Sequence, residues 1–215
     1  MKWTFGLITD GSDYLRNRRI IDSIFQQKIP EDSFEVIVVG GAVVSGRNIT
    51  HVTFDERPKS GHITKKKNIV FKQAKFDNIS IGHDYIQYDH GWYDGFEKFG
   101  EDWDCSMAKI INKDGLRFRD WVSWYNDGST QPDKHTVQFI DYNDNSKTDK
   151  MYISGAYYCI KKQFALKYKL DESKTWGFSE DVDFSLRARN SWNYRMNQNS
   201  SVSFLKMKDH WPLHK

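Results

Sequence analysis

The sequence predicts an α/β fold: a single domain with a mostly parallel central sheet flanked by helices. Three observations predict it. Residues 34–41, Phe-Glu-Val-Ile-Val-Val-Gly-Gly, are a continuous apolar run ended by glycines, which fits a strand covered on both faces. Strand-like and helix-like stretches alternate from the start, and a strand, a helix and a second strand within about forty residues make a right-handed βαβ unit. A chain of 215 residues is long enough to bury one full core.

The elements are read in order. Residues 3–9 form a first strand that ends at Asp10-Gly11. Residues 14–27 space Leu15, Ile20, Ile21, Ile24 and Phe25 along one face of a helix, and Ile29-Pro30 stops it. After the strand at 34–41, His51-Val52-Thr53-Phe54 is a third, ending in Asp55-Glu56. Residues 63–74 are a second helix carrying Lys65-Lys66-Lys67, and Ile79-Ser80-Ile81-Gly82 is a fourth strand leading into His83-Asp84-Tyr85-Ile86. Residues 88–150 are the least patterned, with Trp92, Trp103, Trp121, Trp124 and Tyr125 scattered among Asp and Gly. Within them, residues 105–111 read as a strand, 115–124 as a strand or helix, and the polar stretch 141–150 as a loop that closes over a bound substrate. Residues 153–160 read as a strand opening on Gly155, Lys161 to Phe164 as the start of a helix, and residues 201–207 as a last, alternating strand.

Composition narrows the function classes. Thirty-two basic residues against 29 acidic ones leave a net charge of +3, a near balance that gives no reason to expect a nucleic-acid partner. The 15% aromatic content, with eight Trp, supplies buried area and flat rings suited to stacking on sugars. Cys105 and Cys159 make neither a disulfide framework nor a metal-ligand set, so a reducing compartment is expected. No signal segment precedes the first strand, and the longest apolar run, 36–44, is too short to span a bilayer, so a cytoplasmic, soluble protein is expected. The sequons at Asn48, Asn78 and Asn199 are read as chance matches. Thr9-Asp10-Gly11-Ser12 has one glycine without spaced partners, which excludes a dinucleotide fingerprint, and no P-loop is present.

The stretch that carries chemistry is Trp176-Gly177-Phe178-Ser179-Glu180-Asp181-Val182-Asp183. Three carboxylates within four positions, followed by apolar Phe184, Leu186 and Ala188, read as acids at a helix start, where the dipole and free amides favour negative charge. Glu180 and Asp183, three apart, share a face, whereas Asp181 points elsewhere, where it can face a cleft, so one of the three acids is free to act as a base. The same residues also fit an ordinary surface helix with Ser179 as N-cap.

The order of a glycine-bearing strand at 153–160, a basic turn, a helix, Trp176-Gly177 and Glu180-Asp181 resembles the donor and acceptor region of GT-A glycosyltransferases. It is similar to the beta-1,4-galactosyltransferase pattern Trp-Gly-x-Gly-Gly-Glu-Asp, without its glycine pair, and to the Glu-Asp element of family 2 glycosyltransferases. The resemblance implies a single GT-A domain over 1–215, with a nucleotide-binding half at 1–87 and an acceptor-binding half at 88–215. It implies transfer from a UDP-sugar to a hydroxyl acceptor, with inversion, by Asp181 as general base and Glu180 bonding a substrate sugar. Gly155 would admit the donor, Trp176 would be an acceptor platform, and the aromatics of the middle region, Trp124 among them, would line the acceptor pocket. Thr9 would hold the base, Asp55 the uracil, and Lys67 would stand near the donor. His83-Asp84 lies where the family carries its Asp-x-Asp motif, so Asp84, with His83, would hold Mn²⁺ or Mg²⁺ between the phosphates. A C-terminal histidine, His210 or else His214, would complete the ligand set. A retaining transferase, a nucleotide-sugar hydrolase and a non-catalytic carbohydrate-binding protein are the alternatives.

Overall fold

The computed structural model describes residues 1–41, 44–56, 62–124 and 137–206. In chain order its elements are β1 (Trp3–Ile8), α1 (Tyr14–Phe25), β2 (Phe34–Val39), β3 (Ile49–Val52), α2 (Ile63–Gln73), β4 (Asn78–His83), β5 (Ile86–Tyr88), α3 (Trp92–Phe99), β6 (Cys105–Ile111), β7 (Val122–Ser123), β8 (Gln138–Phe139), β9 (Met151–Tyr152), β10 (Tyr157–Lys161), α4 (Lys162–Tyr168), α5 (Glu180–Ala188) and β11 (Tyr194–Phe204).

Eight strands form the main sheet in the order β3-β2-β1-β4-β10-β6-β11-β5, and β8-β7-β9 form a small second sheet. The first half is parallel throughout, β1 pairing with β2 and β4, and β2 with β3. β10 runs antiparallel to both β4 and β6, so the sheet is mixed beyond β4. This reversal positions the site. β4 leaves the sheet at His83 where β10 enters it, with Gly82 opposite Tyr157 and the His83 amide bonded to the Ala156 carbonyl at 3.1 Å.

Helices cover both faces because β1 alternates. Trp3 and Phe5 turn to one side, where their rings meet Trp92 of α3 at 4.8 and 5.4 Å. Gly6 turns to the other, where a β-carbon would stand 2.6 Å from Val70 of α2. The long apolar cluster that fills both layers holds Trp3, Trp92, Trp121, Phe71 and Phe184 fully buried. Gly40 ends β2 with φ +148°, and a β-carbon there would lie 1.9 Å from the Thr9 carbonyl, so the two strand ends approach this closely only with glycine.

Several expectations differ from the structure. The stretch 153–160 is not one strand: after β9 the chain turns over residues 153–156, and β10 starts at Tyr157. The last strand begins seven residues earlier than its alternating part and carries a register shift between Asn197 and Ser201. Residues 141–150 are held by bonds from the Trp121 indole to the Asp144 carbonyl, 3.1 Å, and from Gln198 to Asn143, 2.8 Å. None of them lines the cleft at the ends of β1 and β4. Among the described residues no helix is long and apolar enough to cross a membrane.

Candidate functional site

A cleft of about 420 Å³ opens at the carboxyl ends of β1 and β4, the place where open α/β sheets bind ligands. Ile8, Thr9, Asp10, Glu56, Lys66, His83, Asp84 and Trp176 line it. The Trp-Gly turn and the His-Asp strand end, 92 positions apart, thus share one cavity.

Thr9 and Asp84 are its fixed wall. The Thr9 hydroxyl donates to Asp84 Oδ2 at 3.0 Å and accepts from the Gly11 amide at 2.9 Å and from Asn17 at 3.1 Å. Arg16, in the first turn of α1, donates to the Asp84 carbonyl and, at 3.2 Å, to Asp84 Oδ2. Lys66 is buried. Its ammonium donates to the Thr9 carbonyl at 2.8 Å, pairs with Glu56, and lies 5.3 Å from the Phe54 ring centroid.

The acids lie beside this wall. Ser179 stands at the N-cap position of α5 with a left-handed backbone, φ +54°, but its side chain accepts no capping bond from the first turn. Glu180 and Asp183 also part company. Asp183 turns outward to Arg187, 3.0 Å away, whereas Glu180 turns inward with Asp181. Both inner carboxylates converge on Gly155: a β-carbon there would stand 2.7 Å from Glu180 Oε1 and 2.9 Å from Asp181 Oδ2. In its place the Gly155 amide donates to Asp181 Oδ2 at 2.9 Å, and the Val182 amide donates to Oδ1 at the same distance. Beneath them Lys67, 1% exposed, donates to the Gly155 carbonyl at 2.7 Å and to Glu180 Oε1 at 3.2 Å.

This arrangement sets the chemistry of Asp181. Desolvation first, and then the adjacent Glu180 charge, push its pKa up to about 7, against the pull of Lys67 and of the two amides. A carboxyl group tuned there is poised to accept a proton near neutral pH. Burial likewise raises the Tyr85 phenol, with the charges of Asp84, Glu180 and Asp181 adding to it, so one buried ring senses both the strand-end acid and the helix-start acids.

The expected site residues fall in different places. Thr9, Asp84, His83 and Trp176 meet in the cleft, and Asp181, Glu180 and Gly155 form the acid cluster next to it. Lys67, expected near the donor, lies under the carboxylates and bonds the Gly155 carbonyl, and Lys66 lines the cleft. Asp55 is exposed and outside the lining, next to Glu56, which is part of it. Trp124 is half-buried against Tyr152, ring centroids 4.8 Å apart, and both pack on Val182. His210 and His214 lie outside the described residues. Lys66, Glu56 and Arg16 were not singled out from the sequence.

A divalent ion can be tested against this donor set. His83 and Asp84 present one imidazole and one carboxylate to the cleft, groups that suit Mn²⁺ and Mg²⁺ to different degrees. Among the described residues no group of three His, Cys, Asp or Glu comes together, and Asp84 Oδ2 already accepts from Thr9 and Arg16.

No family model matches the chain, and no curated protein does. Solved structures do. Over 97% of its length the chain superposes on GalNAc-T7 in complex with UDP, GalNAc and Mn²⁺, with a TM-score of 0.70, 11% identity and 44% of that chain covered. Over 95% it superposes on residues 1–349 of S. aureus TarS, with a TM-score of 0.62, 12% identity and 60% of that chain covered. The TarS 1–349 complex with UDP-GlcNAc gives 0.62 and 14%, over 98% of this chain and 60% of that one. The chain therefore spans 60% or less of the length of these structures. At such identities the likeness shows the fold, which is that of the GT-A glycosyltransferases.

Proposed function

We propose that the chain is a glycosyltransferase that moves a sugar from a UDP-sugar to a hydroxyl acceptor with inversion, Asp181 serving as general base. The observation that carries this reading is the Asp181 carboxylate held by the Gly155 and Val182 amides, five residues after the Trp176 that lines the strand-end cleft, with burial and the adjacent Glu180 raising its pKa. The neighbours solved with UDP, UDP-GlcNAc or UDP, GalNAc and Mn²⁺ support the donor class.

Thr9, Glu56 and Lys66 would receive the nucleotide, the buried ammonium of Lys66 facing its diphosphate. A Mn²⁺ or Mg²⁺ ion held by His83 and Asp84, with His210 beyond the described residues as a third ligand, would supply Lewis-acid charge to the departing diphosphate. Asp181 takes the proton of the acceptor hydroxyl while that oxygen forms its bond to the anomeric carbon. The bond from that carbon to the β-phosphate oxygen breaks, and its electron pair leaves on UDP. Attack from the opposite face inverts the configuration. Glu180, fixed by Lys67, is placed to bond a sugar hydroxyl, and Trp176, 65% exposed, offers a ring face to sugar C–H bonds. Residues 1–87 then make the donor half and 88–215 the acceptor half.

Proton NMR of the product formed from UDP-GlcNAc or UDP-GalNAc tests this. Inverted configuration, loss of turnover in Asp181→Asn, and loss in EDTA with recovery in Mn²⁺ are the expected results. Retained configuration, or Asp181→Asn with full turnover, would overturn the assignment of the base, and full turnover in EDTA would remove the ion.

A further inference from the structure

Resting on the transferase reading above, we propose that Ser185 and Tyr194 are positioning residues for the base: together they clamp one peptide unit, and that unit sets where the Gly155 amide meets Asp181. The unit runs from the Tyr152 carbonyl to the Ile153 amide, where β9 gives way to the turn before β10. Its carbonyl accepts from the Tyr194 hydroxyl at 3.1 Å, and its amide donates to Ser185 Oγ at 3.1 Å. Both ends of one peptide are therefore tied to side chains, one on β11 and one on α5. Two residues further on, the Gly155 amide reaches Asp181 Oδ2.

Ser185 ties the turn to the helix that bears the base. Its hydroxyl donates to the Asp181 carbonyl, one helical turn back, at 2.6 Å, while its oxygen accepts from the Ile153 amide. A serine that bonds backwards along its own helix adds nothing to helix stability over alanine, so what the hydroxyl contributes here is the link to the turn. Ile153 and Ser185 are 0 and 1% exposed, and a buried amide needs such a partner. Around the Asp181 carboxylate stand Glu180, Lys67 and four phenols, Tyr85, Tyr152, Tyr158 and Tyr194, each of which burial above all holds over its ordinary pKa and so neutral. Removing either clamp hydroxyl thus changes no charge in the site. Its effect reaches the carboxylate through the Gly155 amide, whose bond favours the ionised acid.

Amide hydrogen exchange followed by NMR, a pH–rate series with UDP-GlcNAc and UDP-GalNAc, and thermal melts of the intact chain test the clamp in Ser185→Ala and Tyr194→Phe. In each variant the Gly155 amide should exchange on the order of tenfold faster than in the wild type. Turnover should fall on the order of tenfold with the donor KM unchanged, and the acid limb of kcat/KM should move to higher pH. A residue that merely filled the core would lower the melting temperature and leave that limb in place. Such a result in both variants, or wild-type exchange at Gly155 in both, would overturn the proposal and leave the transferase reading standing. A wild type that turns over neither donor would overturn that reading instead, and the Gly155 exchange rate would still decide whether the clamp holds the amide. Should Ser185→Ala not fold, Tyr194→Phe carries the test by itself, since it removes one oxygen from a ring that Trp121 and Trp192 already hold.

Discussion

The Gly155 amide donates to Asp181 Oδ2 across 2.9 Å, and the volume a β-carbon would need at Gly155 is filled by that oxygen and by Glu180 Oε1. Backbone and carboxylate are in contact with no side chain between them, so the glycine sets where the base stands.

Gly155→Ala should therefore push both carboxylates aside. Their ends are flexible, so the cost in stability should be about 1–3 kcal/mol, as for overpacking. Displacing a base by a fraction of an ångström should lower turnover on the order of tenfold to a hundredfold. Chemical denaturation and donor turnover, measured on the same preparation, check both numbers.

Asp181→Asn should lose roughly 10²- to 10⁴-fold in turnover, the range of a general base. Stability should move the other way. The carboxyl pKa is raised on folding to about 7, so its stabilising contribution is complete below the unfolded value near 4 and is lost as pH rises through about 7. Above neutral pH the folded chain must keep a charge in a poor place, and the amide, which carries none, should melt higher than the wild type at pH 8. The wild-type kcat/KM should climb with pH through about 7. A flat profile across that range would remove Asp181 as the titrating base.

Lys67→Met should be among the most destabilising single changes. The ammonium is 1% exposed and its partner Glu180 only 7% at the side chain, so removing it strands a buried carboxylate, a loss of about 3–5 kcal/mol. Lys67 also holds Asp181 down, so in any fraction that folds the acid limb of kcat/KM should move to higher pH. Urea denaturation and a pH–rate series read the two effects separately.

Trp176→Ala should leave stability within about 0.5 kcal/mol of the wild type, because the ring is 65% exposed. A rise in KM for donor or acceptor with an unchanged melting temperature would place the ring at substrate; no change in either KM would leave it idle.

The core of the fold was legible where burial alone dictates pattern. β2 is apolar at five of its six positions because both faces are covered, and β6 matches the run read at residues 105–111. α3 escaped notice because its buried face is built from Trp92, Gly95 and Phe96, residues that read as loop or core aromatics without a partner in view. β7, β8 and β9 are two residues each, too short for any periodicity. The acids at the start of α5 could be read because acids at a helix start have a local physical cause, whereas Gly155, read as part of a strand, sits in the turn before β10. The two lysines were separable as well. Ile63, Val70 and Phe71 fix the inner face of α2, and Lys66 and Lys67, three and four residues after Ile63, fall on it, so both had to be buried with partners. Arg16 carried no such signal, since Asp84 lies 68 positions further along the chain and only the parallel pairing of β1 and β4 brings them together.

One turn of α2 faces two chemistries. Neighbouring lysines a hundred degrees apart around the helix axis reach in different directions, Lys66 to the Thr9 carbonyl and Lys67 to the Gly155 carbonyl, so the helix acts as a gauge block between the cleft and the acid cluster. Its rotational phase is common to the cleft and to the acid cluster beside it. Adding or deleting a single residue between Ile63 and Lys66 would misalign the two ammonium groups in one stroke, a fault that no side-chain substitution at either end could mend.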